Sequence, residues 1–409
     1  MNPSCLIRVG IAVPLYDGFD YRVPDTMQRP AIGARVSVPF GRREKTGIVL
    51  AHPQTSSLDA KKIKPIHAVL DDEPILSAEL LELLQWAARY YHHPIGEVLH
   101  QAIPQWLRQG RPVRSAVEQG WALTEAGHSA LRDATSLQRA PKQAAALRLL
   151  AEHGAATRAE LSTLGISADT LRRLADKALI ESVDRNRPSS HSDLETPPEL
   201  TADQQLVVDQ VSNDPAQFRA YLLQGVTGSG KTEVYLRLIQ SGLLQGLQSL
   251  LLVPEIGLTP QLVARLRKRF GTELAVLHSG LSDKERLGAW QRAHTGAARL
   301  VVGTRSAIFA SLPQLGLIVV DEEHDASFKQ QTGFRYNARD LAIVRARKLG
   351  IKVVLGSATP SLESLHNALT GRYALLDMPR RIGAGGQPRV QSVLILHDDR
   401  LRVPHRPNP

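Results

Sequence analysis

The sequence predicts a multidomain α/β chain in which a β-rich domain and a winged-helix domain precede a parallel sheet with helices on both faces. Three observations predict it. A length of 409 residues exceeds what one ordinary core fills. Short alternating runs crowd residues 1–112, and from residue 199 the pattern becomes strand, loop and helix, repeated. The expected division is a β-rich domain over 1–112, a winged helix over 113–186, a linker over 187–198, a parallel-sheet domain over 199–385 and a tail over 386–409.

In the first domain, IRVGIAV, FDYRVP, ARVSVPF and KTGIVLA are β-branched or alternating runs separated by Pro, Gly and Asp, the pattern of a compact barrel or sandwich. SAELLELLQWAARYYHHP then predicts a helix capped by Ser77 and stopped before Pro94. His92 and His93 are adjacent, so on a helix they point about 100° apart and do not form a two-ligand metal face. PKQAAALRLLAEHGAATRAELSTLGISADTLRRLADKALIESV reads as a helix, a turn at Gly154, a second helix, a turn at Gly165, a third helix capped by Ser167, and a strand. That third helix carries Arg172, Arg173 and Lys177, which could touch phosphates; a protein-contact or spacer role is the alternative. RNRPSSHSDLETPP is polar and Pro-rich, as a linker is.

AYLLQ, SLLLV, LAVLH, RLVVGT, LGLIVVD and IKVVLGS are the expected parallel strands, and ligands of such sheets gather at the carboxyl ends of strands. The first runs into Gly225-x4-Gly230-Lys231-Thr232, a phosphate loop. Gly225, Thr227, Gly228, Ser229 and Gly230 would turn backbone N–H groups toward an anion at a helix N-terminus. Lys231 would reach the β and γ phosphates, and the Thr232 hydroxyl would ligate Mg²⁺. LGLIVVDEEH ends a second strand in Asp321, suited to the metal's shell, and Glu322, suited to orienting water; ordinary strand-end acids are the bland alternative.

The formal charge of +10 favours a polyanionic partner or a solvated basic surface. The one cysteine, Cys5, excludes a disulfide or Cys-based metal site within this chain. No stretch approaches ~18 apolar residues, so the expectation is a soluble, cytoplasmic protein with no membrane contact.

LVPEIGLTPQ, LHSGLSDKER, VVGTRSAIFA, VVDEEHDASFKQQ and LGSATPSLES follow the phosphate loop in an order that resembles the motifs of superfamily 2 helicases. FDYRVP, VPFGRREKTGIVL and YYHHPIGEVL extend the likeness into the first domain. From residue 5 to about 385 the chain resembles the bacterial replication-restart helicase family PriA, primosomal protein N′.

The resemblance implies a RecA-like fold for the parallel sheet and an ATP-dependent 3′ to 5′ DNA helicase that recognises stalled or branched forks and initiates primosome assembly. It implies ATP and Mg²⁺ as cofactors. Branched or single-stranded DNA with a 3′ end, single-strand-binding protein and other primosome proteins are the implied partners of an expected monomer. Gln204, in LTADQ, matches the adenine-reading position, and Lys231, Thr232, Asp321 and Glu322 match the phosphate, Mg²⁺ and water-activating ones. His324 completes a DExH box and, with Ser357 and Thr359, matches residues that couple nucleotide state to DNA grip. Glu255, Thr259, Thr304 and Arg305 fall in motifs that line the single strand. Phe19, Asp20, Gly41 and Lys64 match a pocket for the 3′ end of a nascent strand.

FKQQTGFRYNARD interleaves Phe328, Phe334 and Tyr336 with Lys329, Arg335 and Arg339. Bases could stack on such rings at about 1–3 kcal/mol each while the cations hold phosphates. Packing of the aromatics on the sheet is the alternative.

The family's second RecA-like half, its arginine finger and its zinc-binding cysteines find no match, since no cysteine follows Cys5 and HDDRLRVPHRPNP does not read as the start of that half. The expectation is a truncated helicase that binds fork DNA and ATP with little hydrolysis. A natural non-catalytic fork-binding module and a fragment of a generic superfamily 2 translocase are the alternatives, and the first-domain matches weigh against the second.

Overall fold

The chain's architecture comes from a computed structural model that describes residues 5–113, 119–132, 140–153, 156–157, 161–162, 165–184 and 197–382. The linker expected over 187–198, apart from 197–198, the turn at Gly154 and the tail expected over 386–409 lie outside the described residues.

Strands β1 Leu6–Ile11, β2 Phe19–Arg22, β3 Arg35–Phe40, β4 Arg43–Ala51 and β5 Ala68–Val69 form an antiparallel sheet in the order β2-β1-β4-β3-β5. Alternation sends Ile7, Val9, Ile11, Val36 and Val38 to one apolar core. The first four strands are the four expected runs. Two-residue β5 is too short to leave a periodic trace. The helix Ala78–Tyr90 begins where expected, with the Leu80 N–H donating to Ser77 Oγ at 3.2 Å.

Next come β6 Gln119–Leu123, β7 Ala156–Thr157 and β8 Ile180–Asp184, an antiparallel sheet in the order β7-β6-β8. The helices Glu125–Arg132, Pro141–His153 and Ala168–Asp176 accompany it in a winged-helix arrangement. The expected Ser167 cap is present, accepting from the Thr170 N–H at 3.3 Å. Of the expected middle helix only Leu161 and Ser162 are described. Arg173 pairs with Asp169 at 2.9 Å and Lys177 donates to Gln143 at 3.0 Å, while Arg172 is exposed.

The remaining strands are β9 Arg219–Gly225, β10 Gln248–Leu252, β11 Leu274–Leu277, β12 Leu300–Gly303, β13 Leu315–Asp321, β14 Lys352–Ser357 and β15 Ala374–Met378. They form a seven-stranded parallel sheet in the order β11-β12-β10-β13-β14-β9-β15. Helices cover both faces, which is why the central strands read as continuous apolar runs. This is a RecA-like helicase sheet. Edge strand β15 follows a short helix, Leu362–Leu369, and escapes the pattern because its residues alternate between buried and exposed.

One apolar core runs from the helices Ala78–Tyr90 and Ile95–Ala102 into the helix Ala338–Leu349 of the parallel sheet. At its edge Arg345 is fully buried, donating to Glu79 at 3.0 and 3.1 Å and to the Ile308 carbonyl at 2.7 Å. No helix among the described residues is long and apolar enough to cross a membrane.

Candidate functional site

β9 delivers the phosphate loop to the N-terminus of the helix Lys231–Leu244. Gly228 and Gly230 have φ of 84° and 83°, a region that other L-residues rarely adopt, and this lets the loop wrap around an anion. Lys231 Nζ donates to the Gly225 carbonyl at 2.9 Å and lies 3.9 Å from Glu322. Among the described residues Ser229 Oγ is buried without a hydrogen-bond partner. An orphaned hydroxyl and a buried ammonium at a helix N-terminus fit a bound phosphate chain.

Gln204 lies beneath the loop. Its Nε2 donates to the Gly230 carbonyl at 3.2 Å and its Oε1 accepts from the Thr201 N–H at 2.8 Å in a capping box. The amide therefore holds the loop and has limited capacity left for a base. The chain leaving β15 crosses the same loop, where the Ile382 N–H donates to Gly228 O at 2.9 Å.

Parallel pairing of β13 with β14, and of β14 with β9, brings Asp321 opposite Gly356 and Ser357 opposite Gln224. The acids therefore lie beside the loop. Burial and the neighbouring Glu322 carboxylate push Asp321 up to about 6, against the opposing pull of the Tyr235 hydroxyl and Lys231. A carboxylate whose charge is disfavoured by burial and a like charge fits a divalent cation, and Thr232 and Asp321 would hold Mg²⁺ here. Glu322 has φ of 45°, a strained value for a non-glycine residue, and it lies 3.7 Å from His324 Nδ1. That ring nitrogen is 2.8 Å from Ser357 Oγ, which also accepts from the Thr359 N–H at 2.9 Å. The expected coupling residues are thus joined.

Tyr235 is fully buried against this acid pair, and a Cβ at Gly356 would stand 1.5 Å from its hydroxyl oxygen. Gly356→Ala is expected to cost about 1–3 kcal/mol in urea unfolding through overpacking, with part of the loss recovered in Gly356→Ala/Tyr235→Phe. A neutral Gly356→Ala would show that the two elements separate freely.

Glu255 is exposed, and Thr259 caps the helix Pro260–Phe270, accepting from the Leu262 N–H at 3.2 Å. Thr304 is buried at 4% exposure, and Arg305 donates to the Ser327 and Lys329 carbonyls at 2.8 and 3.1 Å. Thr304 is enclosed, while half-buried Arg305 commits its Nη1 to those two carbonyls. Arg305 instead ties its strand end to the segment after the acids.

The stacking expected of Phe328, Phe334 and Tyr336 also needs correction. Their exposures are 1%, 2% and 3%: Phe334 and Tyr336 pack with Phe309, Tyr91 and His93 where the parallel sheet meets the first helices, and Phe328 lies in the same apolar core. No ring face is open to a base. Half-buried Lys329, 5.3 Å over the Tyr91 ring, and exposed Arg335 remain at the surface of that loop.

In the antiparallel sheet Phe19, Asp20, Gly41 and Lys64 converge on one cleft of ≈ 190 Å³, completed by Tyr21, Pro39, Phe40, Leu58 and Lys62. Residues 45 positions apart meet there because the Arg22 N–H bonds the Lys64 carbonyl at 3.0 Å, which brings the lysine segment alongside β2. Phe19 packs edge-on against Phe40 at 5.2 Å. Asp20 faces Arg8 across the β1–β2 pair and takes hydrogen bonds from it at 2.8 and 3.1 Å and from Ser56 at 2.7 Å. Burial would raise the Asp20 carboxyl, but the bonds from Arg8 and Ser56 outweigh it and hold the group below the ordinary range. It is ionised at neutral pH. Three donors leave a carboxylate room for about one more. Sequence reasoning missed Arg8 and Ser56; the two-residue alternation that puts Arg8 opposite Asp20 is visible only once the strands are paired.

Two family models match. A PriA-type 3′ DNA-binding domain covers residues 8–104, and a DEAD/DEAH box helicase covers residues 201–368. The replication restart protein PriA of Haemophilus influenzae is 43% identical over 387 residues, covering 92% of this chain and 52% of that protein. The Chlamydia pneumoniae and Bacillus subtilis proteins of the same name are 36% and 34% identical, covering 91% and 92% of this chain and 51% and 55% of their own lengths. The chain spans about half the length of the curated relatives it matches.

Proposed function

We propose, from the premise that this chain belongs to the replication-restart family PriA, that it recognises branched DNA through a free 3′ end and binds ATP with Mg²⁺ at a separate site. The observation that carries this reading is convergence. Phe19, Asp20, Gly41 and Lys64, far apart in sequence, line one cleft, while the phosphate loop, Asp321 and Glu322 meet at the carboxyl edge of the parallel sheet. In the first site the Phe19 ring would stack on the terminal base, the Asp20 carboxylate would accept from the 3′ hydroxyl, and Lys64 would hold a phosphate. In the second, Lys231 and the loop amides would hold the phosphates, and Glu322 would orient water. Mg²⁺ supplies charge neutralisation when bound.

Among the described residues there is one parallel sheet, and no arginine from a second one faces the phosphate loop. For those residues we infer ATP binding with little hydrolysis. The first-sheet cleft favours fork recognition over generic translocation. Single-strand-binding protein and primosome proteins are its inferred protein partners, in the cytoplasm.

The test is a pair of titrations on the purified chain, one with a fluorescent ATP analogue and Mg²⁺, one with forked DNA. Saturable binding of both is expected, with fork affinity falling as salt rises through counterion release. Binding of neither, or a flat salt response, would contradict the reading.

A further inference from the structure

The helix Asp283–His294 carries Arg286 and Trp290 four residues apart, on one face. A cavity of ≈ 50 Å³ lies between that helix and the helix Gln105–Arg108, walled by Arg108, His278, Arg286 and Trp290, with Gln101 and Ser306 also lining it. The space is several times what one water needs. Gln101 and Ser306 are exposed, so the cavity opens to solvent. It sits on a seam. Gln101 ends a helix, Ile95–Ala102, that packs on β1, where a Cβ at Gly96 would stand 1.7 Å from the Ile11 carbonyl oxygen, while His278 directly follows β11.

The donors around the cavity are not used up. Trp290 is 3% exposed, yet among the described residues neither its Nε1 nor the buried Arg286 Nε has a hydrogen-bond partner. Both guanidiniums are held in place by neutral acceptors: Arg286 Nη2 donates to the His278 and Ser279 carbonyls at 3.2 and 3.1 Å, and Arg108 Nε to the Ile103 carbonyl at 2.9 Å. His278 Nδ1 accepts from the Gly280 N–H at 3.1 Å, which leaves the other ring nitrogen as the donor. Burial and the Arg286 charge push the Arg108 guanidinium down, against the pull of Asp283. Of the nearby acids, Asp283 is exposed and Glu285 is committed to the Ser282 N–H and hydroxyl at 2.9 and 2.6 Å. Water would satisfy the two N–H groups but would not offset the crowding of two cations. An anion does both.

We infer that this cavity is a phosphate-binding site on the seam between the first domain and the parallel sheet, and that its occupant is a backbone phosphate of the fork DNA. Arg108 and Arg286 neutralise the linkage, and Trp290 Nε1 and Arg286 Nε donate to its oxygens. This deepens the proposed function and rests on its fork-binding reading. The exposed mouth admits a linkage within a polymer as well as a free ion, and the fork is the polyanion that the reading supplies.

The experiment titrates the full chain with fluorescent forked DNA carrying a free 3′ hydroxyl over a range of salt, for the parent, Arg108→Gln and Trp290→Phe. Arg108→Gln is expected to weaken binding and to reduce the slope of log K against log[salt] by about 0.7–0.9, the share of one phosphate. Trp290→Phe keeps a buried ring and removes one N–H, so affinity is expected to fall about tenfold with the slope unchanged. Its melting temperature is expected to stay at or near the parent's, because the lost donor has no partner among the described residues; a residue that only supports the fold would lower it. Affinity for an ATP analogue is expected to stay within about twofold of the parent in both variants. If Trp290→Phe does not fold, the slope of Arg108→Gln decides. Parent-like affinity and slope in Arg108→Gln overturn the inference. A melting temperature that inorganic phosphate raises more in the parent than in Arg108→Gln, with fork binding the same in both, would mean that the cavity takes the free ion only, and overturns it too. Failure of the parent to bind the fork overturns the proposed function as well.

Discussion

Lys231→Ala is expected to weaken nucleotide binding by roughly 10–100-fold while leaving fork binding within about twofold of the parent. A charge-assisted contact to phosphate is worth about 1.5–3 kcal/mol, and each 1.4 kcal/mol is about tenfold in affinity. The substitution also removes the bond from Nζ to Gly225 O and the nearest cation to Glu322, so the loop loses an internal tether and the acids lose a neutralising neighbour. Fork binding is expected to survive because the Phe19–Asp20–Lys64 cleft belongs to a different sheet. Analogue and fork titrations on one preparation of the variant check both halves. Equal loss of both affinities would show that the two sites are not separate.

Glu79→Ala is expected to destabilise the chain by about 3–5 kcal/mol, the cost of stranding a buried charge. Arg345 has no exposure, and among the described residues Glu79 supplies its only carboxylate, the remaining bond being to the neutral Ile308 carbonyl. The pair sits where the first helices join the parallel sheet, so the loss is expected in the transition that reports on both. Replacing both partners, as Glu79→Leu/Arg345→Met, is expected to recover most of the loss, since apolar substitutes for a buried pair are often neutral or better. Urea unfolding of the three proteins checks it. A cost of about 1 kcal/mol or less for Glu79→Ala would mean that water reaches Arg345.

The long apolar strands were legible because a sheet covered on both faces needs continuous apolar runs, as in LLQ, LLLV and LIVVD. Ser77 and Ser167 were legible because a cap hydrogen bond is satisfied within four residues. The phosphate loop and DEEH were legible for the same reason of locality, the chemistry being carried by neighbours in sequence. What stayed hidden depends on strand pairing and tertiary packing. Arg345 looks like a surface cation in ARDLAIVRARKL until Glu79, 266 residues away, is brought against it. Glu323 looks like a spare acid until Ser361, Ser364 and Arg339 close around it. The aromatics of FKQQTGFRY carry the same residue types whether they face DNA or the core, and only Tyr91, His93 and Phe309 decide for the core.

The central claim, recognition of DNA through a free 3′ end, is tested most directly by anisotropy titration of two forked DNAs that differ only in a 3′ hydroxyl or a 3′ phosphate at the branch. Asp20 has room for about one more donor and repels a terminal phosphate, so the free hydroxyl is expected to bind about tenfold tighter or more, with the preference lost in Asp20→Asn. Equal affinity for the two forks would contradict the account.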